Sequence, residues 1–235
     1  MWCGSSKSTG RQRLRSDSEC SSYDEEYKIV VVGSADVGKT ALCQCFVNVE
    51  DNQRQNLQKA SKGRRAEFNT WEAVDGDTCC IRLFELRMSA QGDDDEQIVK
   101  SLTQGADGFL LIYSICDMGS FQATIKVNSI LQKLRGNIET PLVLVGNKAD
   151  GMSGRQVTVS CGRDLAFDLG SAFYETSRYF DSHHITNIFH DVIRQVRCVR
   201  TRTKFQEQTF TKVRGFIHRL SFKGKRKSLK SAPTS

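Results

Sequence analysis

The chain holds only 2 prolines in 235 residues, so it is no proline-rich linker. No stretch approaches the roughly 20 apolar residues of a membrane span. The N-terminus lacks the apolar core of a signal peptide. These two absences point to a cytosolic protein. The 9 cysteines are odd in number and form no Cys-x-x-Cys pair, which disfavours a disulfide framework or a zinc site. Cys43, Cys45, Cys79, Cys80 and Cys116 fall within expected helices or strands and read as buried reduced thiols. His183, His184 and His190 sit in no ligand constellation and read as surface or packing residues. The last four residues, Ala232-Pro233-Thr234-Ser235, form no Cys-a-a-X box, so prenylation is not expected. What remains is ample for one domain with tails: 38% hydrophobic and 9% aromatic residues.

The net charge of +7 hides an uneven distribution. Residues 194–235 hold 13 Lys/Arg against the single acid Glu207, and the rest of the chain sums to −5. A mildly acidic body carrying a basic end suits an anionic surface or an acidic partner. Residues 1–26 are rich in Ser, Arg and Gly without apolar periodicity, and disorder is expected there. From residue 27 the pattern alternates. Strands are expected near 27–33, 67–74, 78–85, 108–115, 141–146 and 172–176. Helices are expected near 39–49, 94–104, 118–135, 161–169 and 184–200. Asp75-Gly76-Asp77 reads as a hairpin turn. The alternation implies an α/β fold, a mostly parallel six-stranded sheet with helices on both faces, and ligands at the C-terminal strand ends.

Two motifs fall at those ends. The first is Gly33-Ser34-Ala35-Asp36-Val37-Gly38-Lys39-Thr40, followed by Ala41, between the apolar run Ile29–Val32 and a helix start. Strand, glycine loop and helix in that order make a phosphate cradle. Gly33 and Gly38 let backbone N–H groups converge, and the helix N-terminus adds positive potential. Lys39 can reach the β- and γ-phosphates, and the Thr40 hydroxyl can ligate Mg²⁺. The second motif is Asn147-Lys148-Ala149-Asp150, after Leu142–Gly146. An Asp carboxylate there can accept from the guanine N1–H and N2–H₂. Adenine offers neither donor, and an unpaired carboxylate costs about 1–3 kcal/mol or more. Asn147 can add polar contacts, and the Lys148 stem can lie over the base.

Together the two motifs resemble the Ras-like small GTPases over about residues 27–198. The resemblance implies a three-layer P-loop NTPase fold, with GTP/GDP and Mg²⁺ as ligands. Glu175-Thr176-Ser177 is similar to the family's last guanine-loop element, which adds Thr176, Ser177 and Arg178 to the base site. Arg178 and Tyr179 stand where Ala and Lys are usual. The resemblance divides the chain into a disordered extension (1–26), a G domain (27–200) and a basic amphipathic tail (201–235).

The departures cluster where hydrolysis is done. The family's Asp-x-x-Gly-Gln aligns with Glu85-Leu86-Arg87-Met88-Ser89, which holds neither the Gly that contacts the γ-phosphate nor the Gln that orients water. Gln91-Gly92 and the acidic run Asp93–Glu96 follow. Residues 50–66 are polar and basic with no Thr in register, leaving Ser61 and Thr70 as weak metal-ligand candidates. Ala35 and Asp36 occupy positions that are often glycine. Such losses mark the Rad/Gem/Kir branch, which Ile112–Phe121 and Ile193–Arg197 also resemble, although the branch's second-switch Trp is absent. No catalytic residue is assigned. The resemblance implies a guanine-nucleotide-binding regulator with weak or absent hydrolysis that inhibits voltage-gated calcium channels through the channel β-subunit. The alternatives are a conventional GTP-hydrolysing switch, with Gln91 positioning water, and a nucleotide-free scaffold.

In the tail, Phe210, Val213, Ile217, Leu220 and Phe222 recur among Arg214, Arg219, Lys223, Lys225, Arg226 and Lys227. As a helix this gives an apolar stripe with a cationic face, weakened by Gly215 and Gly224. It fits anionic plasma-membrane lipids at the cytoplasmic side, or calmodulin. Ser221, Ser228 and Ser231 lie among basic residues, and Ser231-Ala232-Pro233 resembles a site read by 14-3-3 proteins after phosphorylation. Nucleic acid is a weaker fit.

Overall fold

The computed structural model describes residues 25–47, 65–88, 100, 105–136, 139–150, 154–177 and 182–227. The residues before 25, the expected helix near 94–104 apart from Lys100, and Ser61, Gln91, Arg178 and the serines from 228 onward lie outside the described residues.

Six strands form one sheet: β1 (Glu25–Gly33), β2 (Arg65–Val74), β3 (Asp77–Arg87), β4 (Gly108–Ser114), β5 (Leu142–Asn147) and β6 (Ala172–Glu175). Their order is β2-β3-β1-β4-β5-β6. Only β2 runs antiparallel to its neighbour; the other pairings are parallel. The expected α/β architecture is therefore present. Four helices are described: α1 (Lys39–Phe46), α2 (Met118–Arg135), α3 (Val159–Leu169) and α4 (Ser182–Lys227).

The uninterrupted apolar runs make sense because the central strands are buried on both faces. Alternate residues of β1 go opposite ways. Ile29 and Val31 pack with Phe46, Phe189, Val192 and Val196 of α1 and α4. Val30 and Val32 pack with Phe121, Val127 and Ala166 of α2 and α3. Phe46 stacks on Phe189 with ring centroids 4.2 Å apart, which locks α1 to α4. The β2–β3 hairpin turns at Asp75 (φ 55°) and Gly76 (φ 93°), the left-handed pair that a two-residue hairpin prefers. Asp117 caps α2 by accepting from Gly119 N at 2.9 Å, and Thr158 caps α3 by accepting from Cys161 N at 3.2 Å.

Several boundaries differ from those expected: β2 begins at Arg65, β3 runs on to Arg87 and α1 stops at Phe46. β1 begins at Glu25, because Glu26 bonds Arg82 (3.2 Å) and its carbonyl accepts from Arg200 (2.9 Å). The last helix does not stop near 200 but continues to Lys227. No Gly or Pro lies between 182 and 214 to end it. Part of the basic stretch also serves the body. Arg194 bonds Asp75, Arg197 donates to Val74 O at 2.9 Å, Arg200 pairs with Asp107 at 2.7 Å, and Arg202 pairs with Glu139 at 2.8 Å. Tyr27 lies beneath Arg197 and Arg200, whose guanidinium carbons stand 5.7 and 4.7 Å from its ring centre. Burial, with a bond to Glu25, pushes the Tyr27 phenol up to about 12. Nine basic residues and one acid follow Arg202 in the sequence.

All described cysteines are free thiols. Cys43 and Cys79 are buried and Cys161 and Cys198 exposed. Cys116 lies in the turn after β4, not within the strand. No described helix is long and apolar enough to cross a membrane.

Candidate guanine-nucleotide site

The glycine loop bridges the C-terminal end of β1 and the start of α1. Gly33 is buried against β4, where an added Cβ would stand 2.2 Å from Ile112 O. Gly38 takes φ 97°, in the left-handed region, and caps α1. Asp36 also sits there at φ 57°, a conformation that Asp adopts more readily than most residues. Val37 is buried, while Ala35, Asp36 and Ala41 are exposed on the loop's outer side. The backbone shape of a phosphate cradle is therefore kept although Ala35 and Asp36 are not glycine.

Lys39 is 3% exposed, and its ammonium donates to Ser34 O at 2.6 Å across the loop. Burial lowers its pKa to about 8, with Arg87 pushing the same way and Glu85 opposing. A buried ammonium with one loop carbonyl as its partner gains from an incoming anion. Thr40 donates its hydroxyl to both carboxylate oxygens of Glu85, at 2.9 and 2.7 Å. Hydroxyl and carboxylate are oxygen donors of the kind that Mg²⁺ takes. Thr40 and Glu85 thus fit a Mg²⁺ site, where the ion would neutralise phosphate charge. Among the described residues no group of three or more His, Cys, Asp or Glu forms a metal cluster. An ion held here would complete its shell with phosphate oxygens and water.

The role of Glu85 was not read from the sequence. The signal lay in strand register, since Glu85 lies two residues before the end of β3, opposite Val31 of β1. Thr70 is excluded as a partner of Thr40. It pairs with Ile81, four residues before Glu85, about 13 Å along the strand.

The second motif meets the first. Asn147, 8% exposed, donates its side-chain amide to Val37 O at 2.7 Å. Its Oδ1 accepts from Lys148 N at 2.8 Å, and Lys148 takes φ 67°. The β6 end closes on the same loop: Thr176 N donates to Gly146 O at 2.9 Å, and Ala149 N to Thr176 O at 3.0 Å. Thr176 and Ser177 are buried and Asp150 half-buried. Arg155 grips Glu175 through two bonds of 2.6 and 2.9 Å, and His184 Nε2 contacts Glu175 O at 3.0 Å. The phosphate loop thus meets the base loop at Asn147, and Thr176 closes on that base loop through Gly146 and Ala149.

At the aligned hydrolytic stretch, Met88 stands in place of the family's glycine. It is buried, and its N–H donates to Gly33 O at 3.0 Å.

A mostly parallel sheet with a glycine cradle, a buried lysine and an adjoining base loop defines a P-loop nucleotide-binding protein. Residues 28–198 match the Ras family, and the chain belongs to that family. It is 30% identical over 185 residues to GTP-binding protein GEM of Homo sapiens, covering 77% of this chain and 60% of the relative. It is 31% identical over 192 residues to GTP-binding protein REM 1 of Homo sapiens, covering 82% of this chain and 62% of the relative. It is 29% identical over 198 residues to the Ras-related and estrogen-regulated growth inhibitor of Homo sapiens, covering 83% and 94%. The chain therefore spans about 60% of the length of GEM. Membership of the family implies binding of GTP and GDP, typically with Mg²⁺.

Proposed function

We propose that the chain is a guanine-nucleotide-binding regulatory protein with weak or absent GTP hydrolysis. The bond from Asn147 to Val37 O carries this reading, because it joins the base loop to the phosphate loop. Asp150 supplies guanine selectivity from the same loop. Weak hydrolysis is supported by Met88, whose N–H is engaged by Gly33 O and whose side chain replaces a glycine. The relatives named as GTP-binding proteins agree with the nucleotide class. The test is to identify by chromatography the nucleotide released from purified full-length protein, and to measure single-turnover hydrolysis. Guanine nucleotide should be released, and turnover should lie far below the about 5–20 s⁻¹ of a GAP-stimulated Ras-like enzyme. ATP bound as tightly as GTP would refute the guanine assignment. Rapid turnover abolished by Gln91→Ala would restore the hydrolytic switch.

The arm beyond Arg202 holds the protein at the cytoplasmic face of the plasma membrane in this reading. Support comes from a helical backbone that continues to Lys227 through the basic stretch, and from exposed Phe205 and Phe210. Each Lys or Arg near an anionic leaflet contributes about 1 kcal/mol. Deleting 209–235 should abolish co-sedimentation with phosphatidylserine vesicles and leave GDP affinity intact; retained co-sedimentation would refute the anchor. Calmodulin is a competing ligand of the same stretch, and phosphorylated Ser231 is the 14-3-3 candidate. The Rad/Gem/Kir resemblance extends the proposal to inhibition of voltage-gated calcium channels through their β-subunit.

A further inference from the structure

The phosphate cradle carries a second cation that the glycine-loop motif does not supply. Residues of β3 alternate between the two faces of the sheet. Ile81 and Leu83 enter the cluster with α1 and α4, whereas Phe84, Leu86 and Met88 pack on the opposite side. The same alternation places Glu85 and Arg87 on the α1 face, and Glu85 shows it directly by holding Thr40. Arg87 is the last residue of β3, in register with Gly33, the first glycine of the loop. Arg87 itself is exposed, and it forms no ion pair among the described residues. Two cations thus flank one carboxylate, Glu85, which is already committed to Thr40. Such an arrangement is relieved by an anion placed between the cations. Lys39 sits deep in the loop, and Arg87 stands at its open rim. The guanidinium fork suits the non-bridging oxygens of a phosphate.

We propose that Arg87 is a phosphate ligand supplied in cis, which binds the terminal phosphate of a nucleoside triphosphate and biases the site toward triphosphate over diphosphate. This rests on the guanine-nucleotide reading above. Arg87 stands at the aligned second-switch position and takes over charge that other members of the fold recruit elsewhere. Because the side chain is exposed, replacing it should leave the fold undisturbed.

The experiment strips nucleotide from the full-length protein and titrates fluorescent GDP and fluorescent GppNHp, a non-hydrolysable GTP analogue, into wild type, Arg87→Ala and Arg87→Lys. Loss of a charged hydrogen bond predicts about a tenfold or greater fall in GppNHp affinity for Arg87→Ala, with GDP changed by less than about threefold. Arg87→Lys, which keeps the charge without the fork, should recover part of the loss. It also tests the idea if the alanine variant fails to fold. Equal losses for both nucleotides, or none for either, would overturn the role of Arg87 and leave the nucleotide reading standing. Wild-type protein that binds neither guanine nucleotide would bring down both.

Discussion

Gly38→Ala probes the joint between the two loops. An added Cβ would stand 2.2 Å from Asn147 Nδ2, and that atom would have to retreat until the gap exceeded 3.0 Å. The amide already donates to Val37 O at 2.7 Å in a buried setting, so the retreat breaks this bond. Leaving donor and acceptor buried and unbonded costs about 1–3 kcal/mol. Holding a non-glycine residue at φ 97° adds about 1–2 kcal/mol. The expected loss is therefore about 2–5 kcal/mol, divided between denaturant stability and GDP affinity. The discriminating assay is a double-mutant cycle with Asn147→Ala, read by denaturant unfolding and by fluorescent GDP titration. Asn147→Ala alone loses the bond. In the double variant the clash has gone, so Gly38→Ala should cost only the backbone strain. The two changes should then fall short of additivity by about 1–3 kcal/mol. Additivity within about 0.5 kcal/mol would mean that the loops are not joined at this contact.

Lys39 gives a pH signature. Its pKa is lowered from 10.5 to about 8, so between those values the unfolded chain binds more protons than the nucleotide-free fold. Stability of the nucleotide-free protein should rise with pH across that window. GDP affinity should instead fall above pH 8, because phosphate favours the charged lysine, and Lys39→Met should flatten both profiles. Phe189→Ala removes a fully buried ring stacked on Phe46. It should cost about 3–5 kcal/mol in denaturant unfolding; a loss below about 1 kcal/mol would contradict the shared core of α1 and α4.

The strands were legible because parallel strands buried on both faces leave unbroken apolar runs such as Ile29–Val32. The phosphate loop was legible because its glycines serve a backbone shape, now visible as φ 97° at Gly38. What escaped the sequence were pairings that depend on register across the sheet. Thr40 and Glu85 lie 45 residues apart. The carboxylate's alignment with the family's Asp was visible, but not that it would hold Thr40. The end of α4 was misjudged because the core-facing run Ile185–Val196 stops where the body stops. Helix continues beyond it on propensity alone, since Thr201 to Thr211 supply no breaker. The basic stretch was read as one feature because composition cannot tell Arg197, spent on Val74 O, from a cation left for a partner.

The unbroken run of α4 has a geometric consequence. Its first four turns are wedged into the core, and from Arg202 to Lys227 the backbone advances about 38 Å with no hinge. Whatever grips the far end therefore fixes the bearing of the sheet and the direction in which the nucleotide mouth opens. Length and azimuth are coupled in such a lever. Inserting one residue among 203–211 would lengthen it by only about 1.5 Å but swing the distal face through about 100°. Gly215 and Gly224 are the weakest links in the shaft. A surface that needs the arm to bend would find its elbow there, and the G domain would then pivot about residue 215 rather than about the edge of its own core.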